Sequence, residues 1–403
     1  MLPDQRRFTR RRRRVRAGLS QLVLAAAGVA AGVLVPQITV HPLVSSGRIV
    51  DLLFGAGVTV ISLVTVIYSL LFLVVQWVAG NFSPRLALFR DDPIVWRAFA
   101  YAVGVFVFCL TAAFAIGNRQ QVSFVVPVVA LVLVLASLLL MRTLQTRALV
   151  SVLLAPTLAA VSDRGREILD GLYPRVPARS APPAALPPVR HTVTWREQPA
   201  VLQQLHLDPL LAAARSAGSV VVFRQSVGVT LVAGMPVADI RGGDLDQPAV
   251  LAAVVTGQER SFAQDPLLAF RLLSDIGLRA LSPAVNDPAT AAQVVDCLEG
   301  LLSPLAGRDA PTGEVADRDG NIRVILDLPD WADFARSCLD DLLAAAGGSP
   351  LVLRRIRVML LRLGEAAPGA GQDILAGRLR WAEDTLARNF PVIWAEDRLT
   401  HHG

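Results

Sequence analysis

The side chains best placed for chemistry lie in one stretch of the C-terminal half. Arg271, Asp275 and Arg279 are spaced i, i+4 and i+8, so a helix would bring one carboxylate between two guanidinium groups on a single face. Further polar residues follow where Ser282-Pro283 turns the chain. The resulting polar corner consists of Arg271, Asp275, Arg279, Ser282, Asn286, Asp287 and Thr290. Such a set could hold an anion, a lipid headgroup or a nucleotide.

Helix capping explains the same residues without a ligand. Asp287 precedes Pro288, and Asp265 precedes Pro266, which is the pattern of an N-cap followed by proline at the first helical position. Caps and surface ion pairs each contribute about 1 kcal/mol or less. The structural interpretation is favoured, and the ligand interpretation stays open beside it.

The composition argues against an enzyme and against common cofactor chemistry. All 39 basic residues are arginine, so the chain has no lysine for a Walker A loop, a Schiff base or a biotinyl or lipoyl carrier. The three cysteines are isolated, and the polar corner has no histidine or cysteine to act as nucleophile and base. We therefore expect no catalytic site, no metal site and no cofactor.

A second set of polar side chains lies inside an apolar run. The hydroxyl and amide residues Thr59, Ser62, Thr65, Ser69 and Gln76 are spaced by three, three, four and seven, which places them near one stripe of a helix. The stripe could line a pore. Hydrogen bonding between neighbouring helices also explains the stripe, and this interpretation is favoured.

Four stretches are long enough and apolar enough to cross a membrane. No Asp, Glu or Arg interrupts residues 17–47, 52–84, 98–118 or 120–141, and each run reaches the ~20 residues that span the hydrocarbon. The predicted helices cover 17–35, 49–79, 99–117 and 122–144. Gly28 and Gly32 form a small-xxx-small pair that favours close helix contact.

Arginine placement predicts the orientation and the lipid contacts. The first 16 residues carry eight arginines, and further arginines follow spans two and four, whereas the opposite loops carry only Arg48 and Arg119. By the positive-inside rule, both termini and everything after residue 145 are cytoplasmic in a bacterial inner membrane. We expect the arginine-rich tail to contact anionic lipid. The rest of the chain is near neutral and offers no basic surface for nucleic acid.

The sequence divides into five predicted regions. These are a basic tail (1–16), a four-span transmembrane domain (17–145), a helical extension with a Pro/Ala-rich linker (146–190), a small β-module (191–245) and a helical cytoplasmic domain (246–403). Helices are predicted at 248–256, 266–281, 288–303, 329–346, 350–364 and 371–388, with a strand at 321–328. The fold class is a membrane protein with four transmembrane helices and a mainly helical α+β cytoplasmic region.

The segment Arg279 to Ala291 reads Arg-Ala-Leu-Ser-Pro-Ala-Val-Asn-Asp-Pro-Ala-Thr-Ala. With this motif the chain resembles the bacterial domain-of-unknown-function 2254 family of predicted membrane proteins, and the resemblance extends over most of the chain. A second match is Ser83-Pro84-Arg85, close to the membrane after span two. The resemblance implies the membrane-plus-cytoplasmic architecture and no particular activity.

Two functional hypotheses follow. The first is an oligomeric ion channel, lined by the stripe on span two and gated by the cytoplasmic domain. The alternative is a membrane-anchored sensor or scaffold that binds a small ligand or a partner through the 275–290 polar corner. The overlong second span and the absence of a catalytic constellation favour the channel.

Overall fold

The computed structural model describes residues 10–81, 93–117, 119–152, 154–173, 186–306, 312–366 and 370–400. The chain divides into two compact units, Asp4–Pro156 and Thr157–Gly403. Ser83, Pro84 and Arg85, and most of the predicted Pro/Ala-rich linker, lie outside the described residues.

The N-terminal unit is built from four long helices. They are α1 (Arg10–Leu34), α2 (Ser46–Asn81), α3 (Pro93–Ile116) and α4 (Val125–Val152). Their membrane-compatible parts are Ser20–Gln37, Ser46–Leu73, Arg97–Ile116 and Val125–Thr146. The fold class predicted from the four uncharged runs is confirmed. The basic tail predicted at residues 1–16 overlaps the first helix, because α1 already begins at Arg10.

Small residues bring α1 and α3 into backbone contact. A Cβ atom on Gly104 would lie 2.9 Å from the carbonyl oxygen of Leu24, and a Cβ on Gly28 would overlap the carbonyl of Gly104. Gly32 is equally close to Thr111, whose hydroxyl donates to the carbonyl of Val107 at 2.5 Å. The helix contact predicted from Gly28 and Gly32 is confirmed, and it lies within one protomer.

A short two-stranded antiparallel sheet joins the loop between α1 and α2 to the loop between α3 and α4. Strand β1 (Leu43–Ser45) pairs antiparallel with β2 (Gln121–Ser123), with Val44 opposite Val122. Arg119 donates from Nη1 to the carbonyl of Pro36 at 2.9 Å. Arg119, which served only to predict orientation, therefore also holds the loop after α1.

The C-terminal unit contains two sheets. Its strands are β3 (Val189–Thr194), β4 (Ala200–Leu205), β5 (Ser219–Phe223), β6 (Thr230–Leu231), β7 (Pro236–Gly242), β8 (Val254–Gly257), β9 (Glu314–Ala316) and β10 (Ile322–Ile325). The larger sheet has the order β3-β7-β5-β10-β9, in which β10 runs parallel to β5, and the smaller sheet has the order β6-β4-β8. The sheet is therefore not confined to the predicted 191–245 module, because β9 and β10 complete it.

Two of the helices in this unit pack against these sheets, and most of the others pack against one another. They are α5 (Leu154–Leu172), α6 (Leu207–Ala217), α7 (Gln247–Ala253), α8 (Leu268–Ala280), α9 (Pro288–Ala306), α10 (Trp331–Ala346), α11 (Pro350–Ala366), α12 (Ala370–Asn389) and α13 (Pro391–Thr400). Phe270 and Phe334 are buried with ring centroids 4.9 Å apart. Tyr173 packs edge-on against Phe334, and its hydroxyl donates to the carbonyl of Pro329 at 2.9 Å.

Candidate functional site

The polar corner predicted from the sequence joins α8, the turn after it and α9. Arg271 lies on α8 and pairs with Asp275 (Nε to Oδ1, 3.0 Å), one helical turn later, as the i, i+4 spacing predicts. Its Nη1 also reaches Asp341 Oδ2 on α10, at 3.2 Å. Arg271 therefore links two helices through carboxylates on both.

The turn between α8 and α9 is closed by its own hydrogen bonds. The hydroxyl of Ser282 donates to the carbonyl of Arg279 at 2.7 Å, and the amide of Asn286 donates to the carbonyl of Ser282 at 2.9 Å. Asn286 has a φ of +46°, a left-handed conformation that asparagine tolerates better than most residues. Its side chain is exposed at the outside of the turn.

Asp287 caps α9. Its carboxylate accepts from the amide of Thr290 at 3.1 Å and from the hydroxyl of Thr290 at 2.5 Å. The side-chain and backbone hydrogen bonds from Thr290 hold the pKa of Asp287 below its ordinary value. Capping and turn formation thus occupy Ser282, Asp287 and Thr290, while Nε of Arg279 is buried without a hydrogen-bond partner among the described residues.

Asp265 differs from its predicted role as an N-cap. Helix α8 begins at Leu268, and Asp265 is 1% exposed and paired with both Nε and Nη2 of Arg260, at 2.6 and 2.7 Å. It also accepts from the amide of Leu267 at 3.1 Å. Burial raises the pKa of Asp265 above its ordinary value, against the opposing effect of Arg260.

The polar stripe of α2 lies on the exposed side of that helix. The opposite side is buried within the unit by Ile49, Leu53, Val60, Val64 and Ile67. At about 100° per residue, the buried positions centre roughly half a turn away from Ser62 and Ser69. The five stripe residues Thr59, Ser62, Thr65, Ser69 and Gln76 are all exposed. The stripe therefore does not mediate packing inside this protomer.

Hydrogen bonds to the helix backbone hold three of the stripe hydroxyls on α2. Thr59 donates to the carbonyl of Gly55 at 2.7 Å, Thr65 to that of Ile61 at 2.9 Å, and Ser69 to that of Thr65 at 2.9 Å. A hydroxyl that donates its proton keeps lone pairs that can accept a hydrogen bond or coordinate a cation. The row therefore presents oxygen atoms outward along the helix.

Asp51 is a member of the stripe that the sequence reasoning missed. It is exposed and, at about 100° per residue, lies on nearly the same line of α2 as Ser62 and Ser69. It is also the one Asp or Glu within the four membrane-compatible spans as the structure describes them. The available signal was its spacing of 11 and 18 residues from Ser62 and Ser69, which is close to three and five helical turns.

The four apolar helices and the mixed C-terminal unit define an integral membrane protein with a large α+β portion. The chain belongs to the family described as "Predicted membrane protein (DUF2254)", whose model matches residues 17–362. It is 28% identical over 367 residues to uncharacterised proteins of Mycobacterium bovis and Mycobacterium tuberculosis, covering 85% of this chain and 68% of each relative. No solved structure matches the chain.

Proposed function

We propose that this protein is an oligomeric channel that conducts cations through a pathway lined by α2. The observation that carries the proposal is the polar stripe, which lies opposite the buried face of α2. A helix that contacted only lipid on this side would gain nothing from such a row. In a symmetric oligomer the same surfaces face each other around an axis, and the hydroxyl groups would line a wet path.

The charge along the stripe favours the conduction of cations over that of anions. Asp51 lies near the start of α2, and uncharged oxygen groups follow it along the same face. A ring of Asp51 carboxylates contributed by several copies would raise the cation concentration at that mouth. Hydroxyl and amide oxygens further along could replace part of the hydration shell of the ion.

The length of α2 supports a link between the pathway and the soluble side. This helix has 36 residues. At 1.5 Å per residue it extends over about 50 Å, well beyond the ~30 Å of hydrocarbon. We place its C-terminal end, both termini of the chain and the C-terminal unit in the cytoplasm, with the arginine-rich tail on anionic lipid.

Ion flux into liposomes tests the proposal. Purified protein is reconstituted, and K⁺ flux is compared between the wild type, Ser62→Leu and Ser69→Leu. A matched control is Thr143→Leu on α4, because Thr143 is also exposed and also donates to its own helix, to the carbonyl of Leu139 at 2.8 Å. Flux that is lost in the α2 variants and kept in Thr143→Leu is the expected result.

Two outcomes would contradict this function. One is an absence of flux above that of empty liposomes across several cations and voltages. The other is an equal loss in Thr143→Leu, because the leucines would then act by disturbing the membrane unit in general. Circular dichroism and gel filtration of each variant separate loss of function from loss of fold.

A further inference from the structure

A cleft in the C-terminal unit carries an inference independent of the pore. We infer that it binds a small organic anion, a phosphate or carboxylate joined to an apolar group. The cleft measures about 480 Å³ and lies between the loop 226–229, Arg260, Leu267, Pro329 and the first turns of α10. Its volume falls in the range of small-molecule sites.

Arg260, which lines the cleft, is paired with the buried carboxylate of Asp265. Gly228 covers this pair with a φ of +101°, and a Cβ atom there would lie 2.5 Å from Oδ2 of Asp265 and 2.8 Å from Nη2 of Arg260. Only glycine fits this close approach at this backbone angle. The loop is also tied to the segment just before Pro329, because the hydroxyl of Ser226 donates to Asp327 Oδ2 at 2.7 Å.

The carboxylates around the cleft already have donors. Asp265 accepts from Arg260 and from the amide of Leu267, and Asp327 accepts from Ser226. Asp333 accepts from Nη2 of Arg336 at 2.9 Å and from the amide of Asp330 at 3.1 Å, in the capping box of α10. Each of these three carboxylates thus has at least one hydrogen-bond donor within the protein.

The guanidinium groups have donors left over. Within the described ranges, Arg260 donates only through Nε and Nη2, and Arg336 only through Nη2. That leaves Nη1 of Arg260 and both Nη1 and Nε of Arg336 to face the cleft or solvent. Unused charged donors beside carboxylates that already accept hydrogen bonds favour a ligand rich in acceptor oxygens. The apolar walls, Val227, Val229, Leu267 and Pro329, favour a hydrocarbon portion attached to it.

Isothermal titration of the full-length protein in detergent tests the inference. The probes are phenyl phosphate and phenylacetate, with inorganic phosphate and phenol as arms that separate the charge from the ring. We expect a phenyl anion to bind more tightly than either separate part. Arg336→Gln should weaken the binding about tenfold or more, because charge-assisted hydrogen bonds are lost.

The matched control is Arg215→Gln. Arg215 pairs with Asp319 at 2.6 Å, with side chains 49% and 52% exposed, and lies outside the cleft, whereas the side chains of Arg336 and Asp333 are 53% and 47% exposed. The control should bind like the wild type. Undetectable binding of both phenyl anions to the wild type would overturn the inference, as would equal affinities in wild type and Arg336→Gln. Neither result bears on ion flux, so the two proposals fail separately.

Discussion

Asp51 is an exposed carboxylate on the polar face of α2, and its negative charge is the feature that makes the proposed pathway select cations over anions. Replacing it by asparagine keeps its size and removes the charge. We expect Asp51→Asn to lower the K⁺ over Cl⁻ selectivity about 2- to 10-fold, because a carboxylate ring concentrates cations at a mouth. The reversal potential in a KCl gradient across a planar bilayer measures this.

The control for Asp51 is an exposed carboxylate outside the four membrane-compatible spans. Asp208, exposed on α6, serves this purpose as Asp208→Asn. An unchanged reversal potential in Asp51→Asn would show that Asp51 does not face the conducting path. A shift of the same size in Asp208→Asn would show that the overall charge of the protein is responsible.

The packing of α1 against α3 makes a prediction at the scale of helices. Gly28→Ala places a methyl group against the carbonyl of Gly104, so the helices must separate. We expect this change to destabilise the protein by about 1–3 kcal/mol, the usual cost of overpacking. The thermal midpoint in detergent, followed by tryptophan fluorescence, measures the loss.

Gly55→Ala is the control for this packing. Gly55 also lies in a transmembrane helix, but a Cβ atom there meets nothing within 4 Å. Alanine is the better helix former by about 1 kcal/mol, so this variant should be neutral or slightly stabilised. Equal midpoints for the two variants would mean that the close contact of α1 and α3 contributes little.

The cap of α9 by Asp287 makes a pH-dependent prediction. The carboxylate has a lowered pKa because it accepts from Thr290, so its stabilising effect is complete above the unfolded pKa of about 4 and is lost as pH falls through the lower folded value. Asp287→Ala should cost about 1 kcal/mol at pH 7 and progressively less below pH 4. Thermal melts between pH 7 and pH 3 measure the difference.

Asp163→Ala is a suitable comparison for the cap. Asp163 forms an exposed i, i+3 pair with Arg166 on α5, at 2.5 Å, and should contribute little at any pH. If Asp287→Ala costs no more than this variant at pH 7, the cap does not stabilise the corner. The polar residues of the motif would then need a ligand to explain them.

Local signals explain which elements the sequence predicts well. Long uncharged runs specify the spans, and the Asp287-Pro288 pair marks the start of α9 to the residue. The predicted helix 248–256 was wrong over its last three residues, because Val254, Val255 and Thr256 are β-branched residues that favour strands and lie in β8. Strand β8 pairs with β4 in the smaller sheet, and it follows the last residue of α7 directly in the chain.

Contacts between distant segments explain what the sequence could not show. Strand β10 was predicted, but its parallel pairing with β5, about a hundred residues earlier, is set by tertiary packing. The cleft likewise combines Gly228, Arg260 and Arg336 from three separate stretches. The polar corner was predictable because all of its capping contacts are local.

At the scale of the molecule, α5 is the element that follows the last span in the chain and enters the core of the C-terminal unit. Gly165 lets it approach closely, since a Cβ there would lie 2.7 Å from that of Ala269. Tyr173, just after α5, is buried, and burial raises the pKa of its hydroxyl, which stays a neutral donor to Pro329 at the cleft.

The proposed pore requires that copies of α2 meet around an axis, and this makes the last prediction. In a background with Cys109, Cys297 and Cys338 replaced, Ser62→Cys should be cross-linked between copies by a short bifunctional maleimide, because the stripes face each other. Leu139→Cys on α4 is the control, since Leu139 is 67% exposed but lies on another helix. Denaturing gels of protein cross-linked in native-like membranes count the copies joined. Cross-linking through Leu139→Cys alone would place α4 at the interface and α2 toward lipid. No second copy of α2 would then face Ser62 and Ser69, and the proposed pathway would be contradicted.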